Sequence, residues 1–425
     1  MSLLIKNAII VSFKNISKEK QDILIEKGLI KKIGTSIKEK AAKTIDAKGK
    51  IVMPGFIDLH SHLREPGRED KETIETGSLA AAKGGFTTIM CMANTNPVID
   101  NCMIVESIIK EAKRVGLVNV IPVGAITRGL NSEELTDMVE LKSAGCLALS
   151  DDGRSVLNSN LMRLALQYSS MAEILLIEHC EDDFLSSGGM MNEGYNSTLL
   201  GIKPDPGVSE TVILARDIEL VNYTKTKIHF AHISLKRSTE LIKNAKKSGI
   251  NVTAEACPHH FTLTDDAVKS FDTSTKVKPP LRSKEDVDAI KQALSDGTID
   301  CISTDHAPHS KEDKEADFDN APFGMIGFET ALGLAIKELV DAKVIALPKL
   351  VELMSKNPAG IIGLKNKGDI KEGMDADIVI VDDKKDWEFK KEDIASKSKN
   401  SPFIGMMLKG EVQTTICAGK ITYQK

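Results

Sequence analysis

No CxxC pair occurs in this chain: its seven cysteines, at 91, 102, 146, 180, 257, 301 and 417, are odd in number and widely scattered. That argues against a disulfide framework and against a thiolate zinc site, and leaves most of them as small buried hydrophobes. Aromatic residues make up only 4%, with one tryptophan, and there is no arginine-rich stripe. Lys plus Arg number 56 against 61 for Asp plus Glu, a net charge of −5, so nucleic-acid binding is not supported. No run approaches the ~18 uninterrupted apolar residues of a membrane span. The opening MSLLIKNAIIVSFKN does not order a charged leader, an apolar segment and a small-residue cleavage site. A soluble, cytoplasmic protein is expected, with no membrane partner. Fixed-period repeats and low-complexity tracts are absent as well.

What is present divides into three regions. Residues 1–51 are short alternating segments (LLIKNAIIV, DILIEKGLIKKIG) punctuated by Lys and Gly, and residues 366–425 repeat the style in GMDADIVIVDD and GEVQTTICAGKITY. Both ends read as strands of one small β-module. Between them, residues 52–365 alternate apolar strands with helical segments such as KETIETGSLAAAKGG, SEELTDMVELKSAG and SNLMRLALQYSS. The strands end near His60, Met92, Ile126, Ser150, His179, His232, Cys257 and Asp305, which makes eight. The expected class is α/β, a (β/α)8 TIM-like barrel whose active site lies at the C-terminal ends of the strands.

Those ends carry the chemistry. His60 and His62 follow the run Ile51–His60 and point the same way, because side chains alternate with period two along a strand. Asp151 and Asp152 follow strand four, His179 ends strand five, His232 ends strand six and Asp305 ends strand eight. Any one of them alone is as well read as a hydrogen-bonded strand end, but their convergence at one mouth is not. Imidazoles and carboxylates without cysteine suit zinc or a similar divalent ion, and the set exceeds what one tetrahedral ion needs, so a two-metal site is expected. His229 falls at odd spacing from His232 and is expected on the other face, in the core or against a helix. His259 and His260 are expected in supporting or structural positions.

The blocks GFIDLHSHLREPG, MCMANTNPV, LSDDG, IEHCED, AHIS, TAEACPHH and DCISTDHAPHSKEDK, with APFGMIGFET beyond, resemble the dihydroorotases of the amidohydrolase superfamily, specifically the longer bacterial class I type. The resemblance covers nearly the whole chain. It implies reversible zinc-dependent hydrolysis of (S)-dihydroorotate to N-carbamoyl-L-aspartate in pyrimidine (UMP) synthesis, with two zinc ions per subunit. It implies that His60 and His62 bind the first metal, that Asp152 rather than Asp151 stands where relatives use a bridging carboxylated lysine, and that His179 and His232 bind the second. Asp305 would touch the first metal and carry the proton. Substrate contacts are implied for His62, Arg64, Asn94, Lys278, His309, Phe323 and Gly324; Arg64 offers a bidentate fork to a carboxylate. Lys278 is a departure, because the family pattern has asparagine before Pro279, Pro280, Leu281 and Arg282. The charged stretch SKEDKEADFDN has the composition of a mobile lid or a solvated loop. The resemblance leaves room for a homo-oligomer and for aspartate transcarbamoylase as a partner. Rival readings are a hydantoinase, dihydropyrimidinase or allantoinase on the same scaffold, or a non-catalytic partner of the transcarbamoylase, which would be expected to have lost ligands.

Overall fold

The computed structural model describes residues 2–425. The amino-terminal segments form β1 (Ser2–Ile10), β2 (Gln21–Glu26), β3 (Leu29–Gly34), β4 (Lys43–Asp46) and β5 (Ile51–Pro54). The carboxy-terminal ones form β16 (Ile378–Glu388), β17 (Met407–Cys417) and β18 (Lys420–Gln424). They join in one sheet ordered β18-β17-β16-β5-β1-β2-β3, with β4 beside β1. Alternate residues on one face, among them Ile5, Ile23, Ile25, Val52, Ile378, Ile380 and Ile416, pack into a common core. Each such side chain, fully buried, contributes about 1.5–3 kcal/mol. This burial pins the two ends of the chain together.

The middle of the chain supplies β6 (Phe56–Ser61), β7 (Phe86–Cys91), β8 (Asn119–Pro122), β9 (Ala148–Leu149), β10 (Leu175–Glu178), a small parallel pair β11 (Met191–Asn192) and β12 (Pro204–Asp205), then β13 (Ile228–Phe230), β14 (Val252–Ala256) and β15 (Cys301–Ile302). Parallel pairing runs β6-β7-β8 and β9-β10-β13-β14-β15. Single bridges, Gly124 with Leu149 and Ser61 with His306, join the two arcs into an eight-stranded ring. Helices alternate with the strands, as the apolar spacing requires, and several are capped by their own sequence. Thr73 closes a capping box on Ile74–Lys83, and Asn158 accepts from the first turn of Ser159–Met171. SEELTDMVELKSAG is helical only from Met138 to Ala144, where Asp137 provides the cap.

The run Ile51–His60 is two strands, not one: β5 pairs with β1 and β16 in the terminal sheet, and β6 pairs with β7 in the barrel. The break falls at Gly55, where a Cβ would sit 2.2 Å from Thr87 Oγ1. Only glycine lets the backbone pass so close. The chain therefore steps from sheet to barrel in one residue, and the first histidines are anchored to both. No helix among the described residues is long and apolar enough to cross a membrane.

Candidate metal centre and substrate cavity

Five of the eight barrel strands deliver these donors, at or within three residues of their carboxyl ends. β6 carries His60 and releases His62; the β9 end leads to Asp152, β10 to His179, β13 to His232 and β15 to Asp305. Two of these donors bend the backbone into the left-handed region, His232 at φ +31° and Asp305 at φ +45°, and Arg64 does the same at +61°. Non-glycine residues hold such angles only where the surroundings enforce them, and they concentrate at functional sites. The bend at His232 breaks the period-two alternation. That bend turns His232 toward the side where His229 already stands: His229 is buried in β13, as expected, but its Nε2–H donates to Glu255 Oε2, beneath the same site, at 3.1 Å.

The donors face one another at short range. His60 Nε2 is 3.1 Å from Asp152 Oδ1 and 3.7 Å from Asp305 Oδ1. His62 Nε2 is 3.0 Å from Asp305 Oδ1 and 3.5 Å from Asp152 Oδ2. His179 Nδ1 is 2.9 Å from His232 Nε2, and both approach Asp152 Oδ1, at 3.6 and 3.8 Å. Of the neighbouring aspartates, Asp151 is spent on structure, accepting from the backbone of Ile126 and Thr127 at 2.8 and 2.9 Å. Asp152 alone turns to the imidazoles.

An outer ring of acceptors orients these rings. Glu255 Oε1 takes the Nδ1–H of His60 at 3.0 Å, Asn94 Oδ1 takes that of His62 at 2.9 Å, and Glu181 Oε2 takes the Nε2–H of His179 at 3.0 Å. In each case the other ring nitrogen faces the centre, where a bound cation would take its lone pair in place of a proton. The structure accommodates a divalent cation here on three grounds. His60 Nε2, which faces the centre, is buried without a hydrogen-bond partner. His60, His62 and Asp305 form one compact donor group and His60, Asp152 and His232 another, each within 4.8 Å. Third, the local field is strongly negative. Burial alone would depress His60 and His179, yet Asp152 and the outer glutamates lift His60 well above the usual imidazole range and His179 to about 10. Asp152 and Asp305, which burial would raise, are held far below the carboxylate range by the histidines.

Above this floor opens a cavity of about 240 Å3. It is lined by every residue expected at the site except His60, which lies fully buried beneath. Arg64 forms part of the wall, its Nε donating to Pro308 O at 3.2 Å; burial lowers its pKa to about 10, so it remains a cation at neutral pH.

A family model described as Dihydro-orotase-like matches residues 49–238, and one described as Amidohydrolase family matches residues 254–423. A protein named dihydroorotase from Endomicrobium trichonymphae is 54% identical over 403 residues, covering 95% of each chain. Another so named, from Caldanaerobacter subterraneus subsp. tengcongensis, is 50% identical over 425 residues, covering 100% of this chain and 98% of its own. The chain belongs to the dihydroorotase family. Among solved structures, the L-hydantoinase (dihydropyrimidinase) from Arthrobacter aurescens superposes with a TM-score of 0.89 at 27% identity, covering 100% of this chain and 96% of its own. The amidohydrolase barrel is thus shared with hydantoinases, while the sequence lies with the dihydroorotases. Like its family, the chain is a metal-dependent hydrolase of a small molecule.

Other walls of this dihydroorotase-family cavity are braced from outside. His309 takes a hydrogen bond from Lys71 Nζ at 3.0 Å on Nδ1 and donates from Nε2 to Phe323 O at 2.7 Å. Burial and the cations of Arg64 and Lys71 keep it neutral, its pKa far below the imidazole range. Gly324 is fixed by its own N–H, which donates to Lys276 O at 2.8 Å. Asn94 is occupied on both ends, since its Nδ2 also lies 3.2 Å from Asp152 Oδ2. Lys278 borders the cavity, but its ammonium pairs with Glu181 and Asp205, each at 2.8 Å. His260 donates to Pro279 O at 3.0 Å and so steadies the turn that carries Lys278. The charged stretch after β15 is tied down: Asp313 pairs with Lys71 at 2.9 Å, and Lys314 donates to Thr273 O and Pro322 O at 2.9 and 2.7 Å.

Glu255, Glu181, Asp205 and Lys71 escape sequence reasoning. Glu255 alone leaves a signal, as an acid inside the apolar strand NVTAEAC, where a lone carboxylate needs a buried partner.

Proposed function

We propose that the chain hydrolyses the ring amide of (S)-dihydroorotate to N-carbamoyl-L-aspartate, reversibly, as a step of pyrimidine biosynthesis, with two zinc ions per subunit. The observation that carries this reading is the position of Arg64, a half-buried guanidinium in the wall of a cavity whose floor is built from four imidazoles and two carboxylates. Such a cavity suits a small cyclic amide that bears a carboxylate. Nitrogen and oxygen donors without thiolate favour zinc. His60, His62 and Asp305 would hold one ion, His179 and His232 the other, with Asp152 between them. When bound, the metal pair polarises the amide carbonyl and lowers the pKa of a water.

The remaining steps belong to side chains. Arg64 receives the substrate carboxylate through paired N–H groups and sets the ring's orientation. Asp305, ionised by its histidine neighbours, takes the proton of the attacking water and returns it to the ring nitrogen as the C–N bond breaks. Asn94 keeps His62 and Asp152 in place and, with His62, borders the ring. Neutral His309 holds the Phe323 and Gly324 backbone, the opposite wall. Lys278 completes the rim.

The test is zinc-dependent hydrolysis of L-dihydroorotate by the purified chain, with hydantoin, dihydrouracil and allantoin in parallel. A strong preference for dihydroorotate is expected; preference for an uncharged ring would refute the role of Arg64. A cytoplasmic location, a homo-oligomer and association with aspartate transcarbamoylase belong to the same reading. Size-exclusion chromatography with and without a purified transcarbamoylase checks the last two.

A further inference from the structure

We propose that Lys278 is a positioning residue for the second metal: by clamping Glu181 against His179 it holds Nδ1 of His179 toward the centre. The inference rests on the metal assignment above and deepens it. Lys278 Nζ lies 2.8 Å from Glu181 Oε1, while the other oxygen of that carboxylate, Oε2, takes the Nε2–H of His179 at 3.0 Å. The same ammonium is 2.8 Å from Asp205 Oδ2, whose Oδ1 accepts from Ser209 Oγ at 3.0 Å. Glu181 and Asp205 are only 7% and 1% exposed. Lys278 thus ties three segments together: the loop after β10, the β12 excursion and its own turn.

With two carboxylates on one ammonium, Lys278 has no spare charge for an anionic ligand, although it borders the cavity. Removing the ammonium leaves Glu181 and Asp205 as two buried carboxylates with no cation between them, and Glu181 is no longer held to its histidine. Outer partners of metal-bound histidines typically change metal affinity by about 10- to 100-fold.

The experiment starts from the zinc-loaded chain, dialysed against graded chelator, with zinc per chain measured at each concentration. For Lys278→Met, one equivalent is expected to leave at about 10- to 100-fold lower chelator than in the wild type, with the other unmoved. Lys278→Arg is expected to restore it. If Lys278→Met does not fold, Glu181→Gln serves instead, with the same selective loss expected. Release of both equivalents together, release of neither, or a wild type that never holds more than one would overturn the proposal. A variant with unchanged zinc release and only a raised KM would make Lys278 a substrate contact instead. Zinc release does not depend on substrate, so a failure of the dihydroorotate assay leaves this test intact.

Discussion

Glu255 is fully buried and takes three hydrogen bonds: from His60 Nδ1 at 3.0 Å, from His229 Nε2 at 3.1 Å and from the Ser303 hydroxyl. Replacing it by glutamine keeps the shape but leaves one oxygen and an NH2 group where two acceptor oxygens stood. If the NH2 faces His60, two donors collide and the ring must give up its Nδ1 proton, keeping one only on Nε2, the nitrogen that faces the centre. If it faces His229 and Ser303, those groups can reverse their hydrogen bonds, but His60 then rests on a neutral amide. Hydrogen bonds to a charged group contribute about 1.5–3 kcal/mol each and neutral ones about 1. Glu255→Gln is therefore expected to destabilise the metal-free chain by about 2–4 kcal/mol. Zinc at the His60 end should weaken by about 10- to 100-fold, or about 1.4–2.8 kcal/mol. Urea unfolding of the metal-free chain and chelator competition on the loaded one read the two effects separately. Unfolding within about 0.5 kcal/mol of wild type, together with unchanged zinc release, would refute the reasoning.

Asp305→Asn is expected to retain zinc while turnover falls by about 10²- to 10⁴-fold; metal analysis beside steady-state kinetics checks this, and unimpaired turnover defeats the proton-shuttle role. Arg64→Met should raise KM for dihydroorotate by about 10- to 100-fold, since a charge-assisted pair is lost. Gly67 sits at φ +94°, and a Cβ there would lie 1.8 Å from Asn96 O; Gly67→Ala should cost more than about 2 kcal/mol in unfolding free energy. Burial, reinforced by Lys276, lowers Lys314 from 10.5 to about 7. The folded chain therefore sheds this proton first, and between those values the unfolded chain binds more protons, so the Lys314 contribution rises with pH across the window and is lost as pH falls through 7. Lys314→Met should flatten the pH dependence of unfolding free energy in that window.

Much of this architecture is legible in the linear order of residues. Period-two spacing already aims His60 and His62 at one point, and apolar runs ending in His or Asp already place the donors at one mouth of a barrel. The long shared blocks name the family. These are local properties, because a strand's alternation and a helix's cap depend on residues a few positions apart. Where local rules failed, tertiary packing had overridden them. The close approach to Thr87 at Gly55 divides one apolar run between two sheets, and the left-handed turn at His232 brings that ring onto the side where His229 already meets Glu255.

What only the folded chain decided is which charges meet. Asp151 and Asp152 are neighbours with the same chemistry, and packing alone sends one to the backbone of Ile126 and Thr127 and the other to the imidazoles. His60 is oriented by a carboxylate 195 residues away, and Lys278 reaches Glu181 and Asp205 from a different loop. Closure of the ring buries these groups together, and in a buried setting each charge must find its opposite or be expelled. Sequence determines which donors exist and where along each strand they stand; the closed barrel determines their partners, because that pairing is set by distances no local pattern encodes.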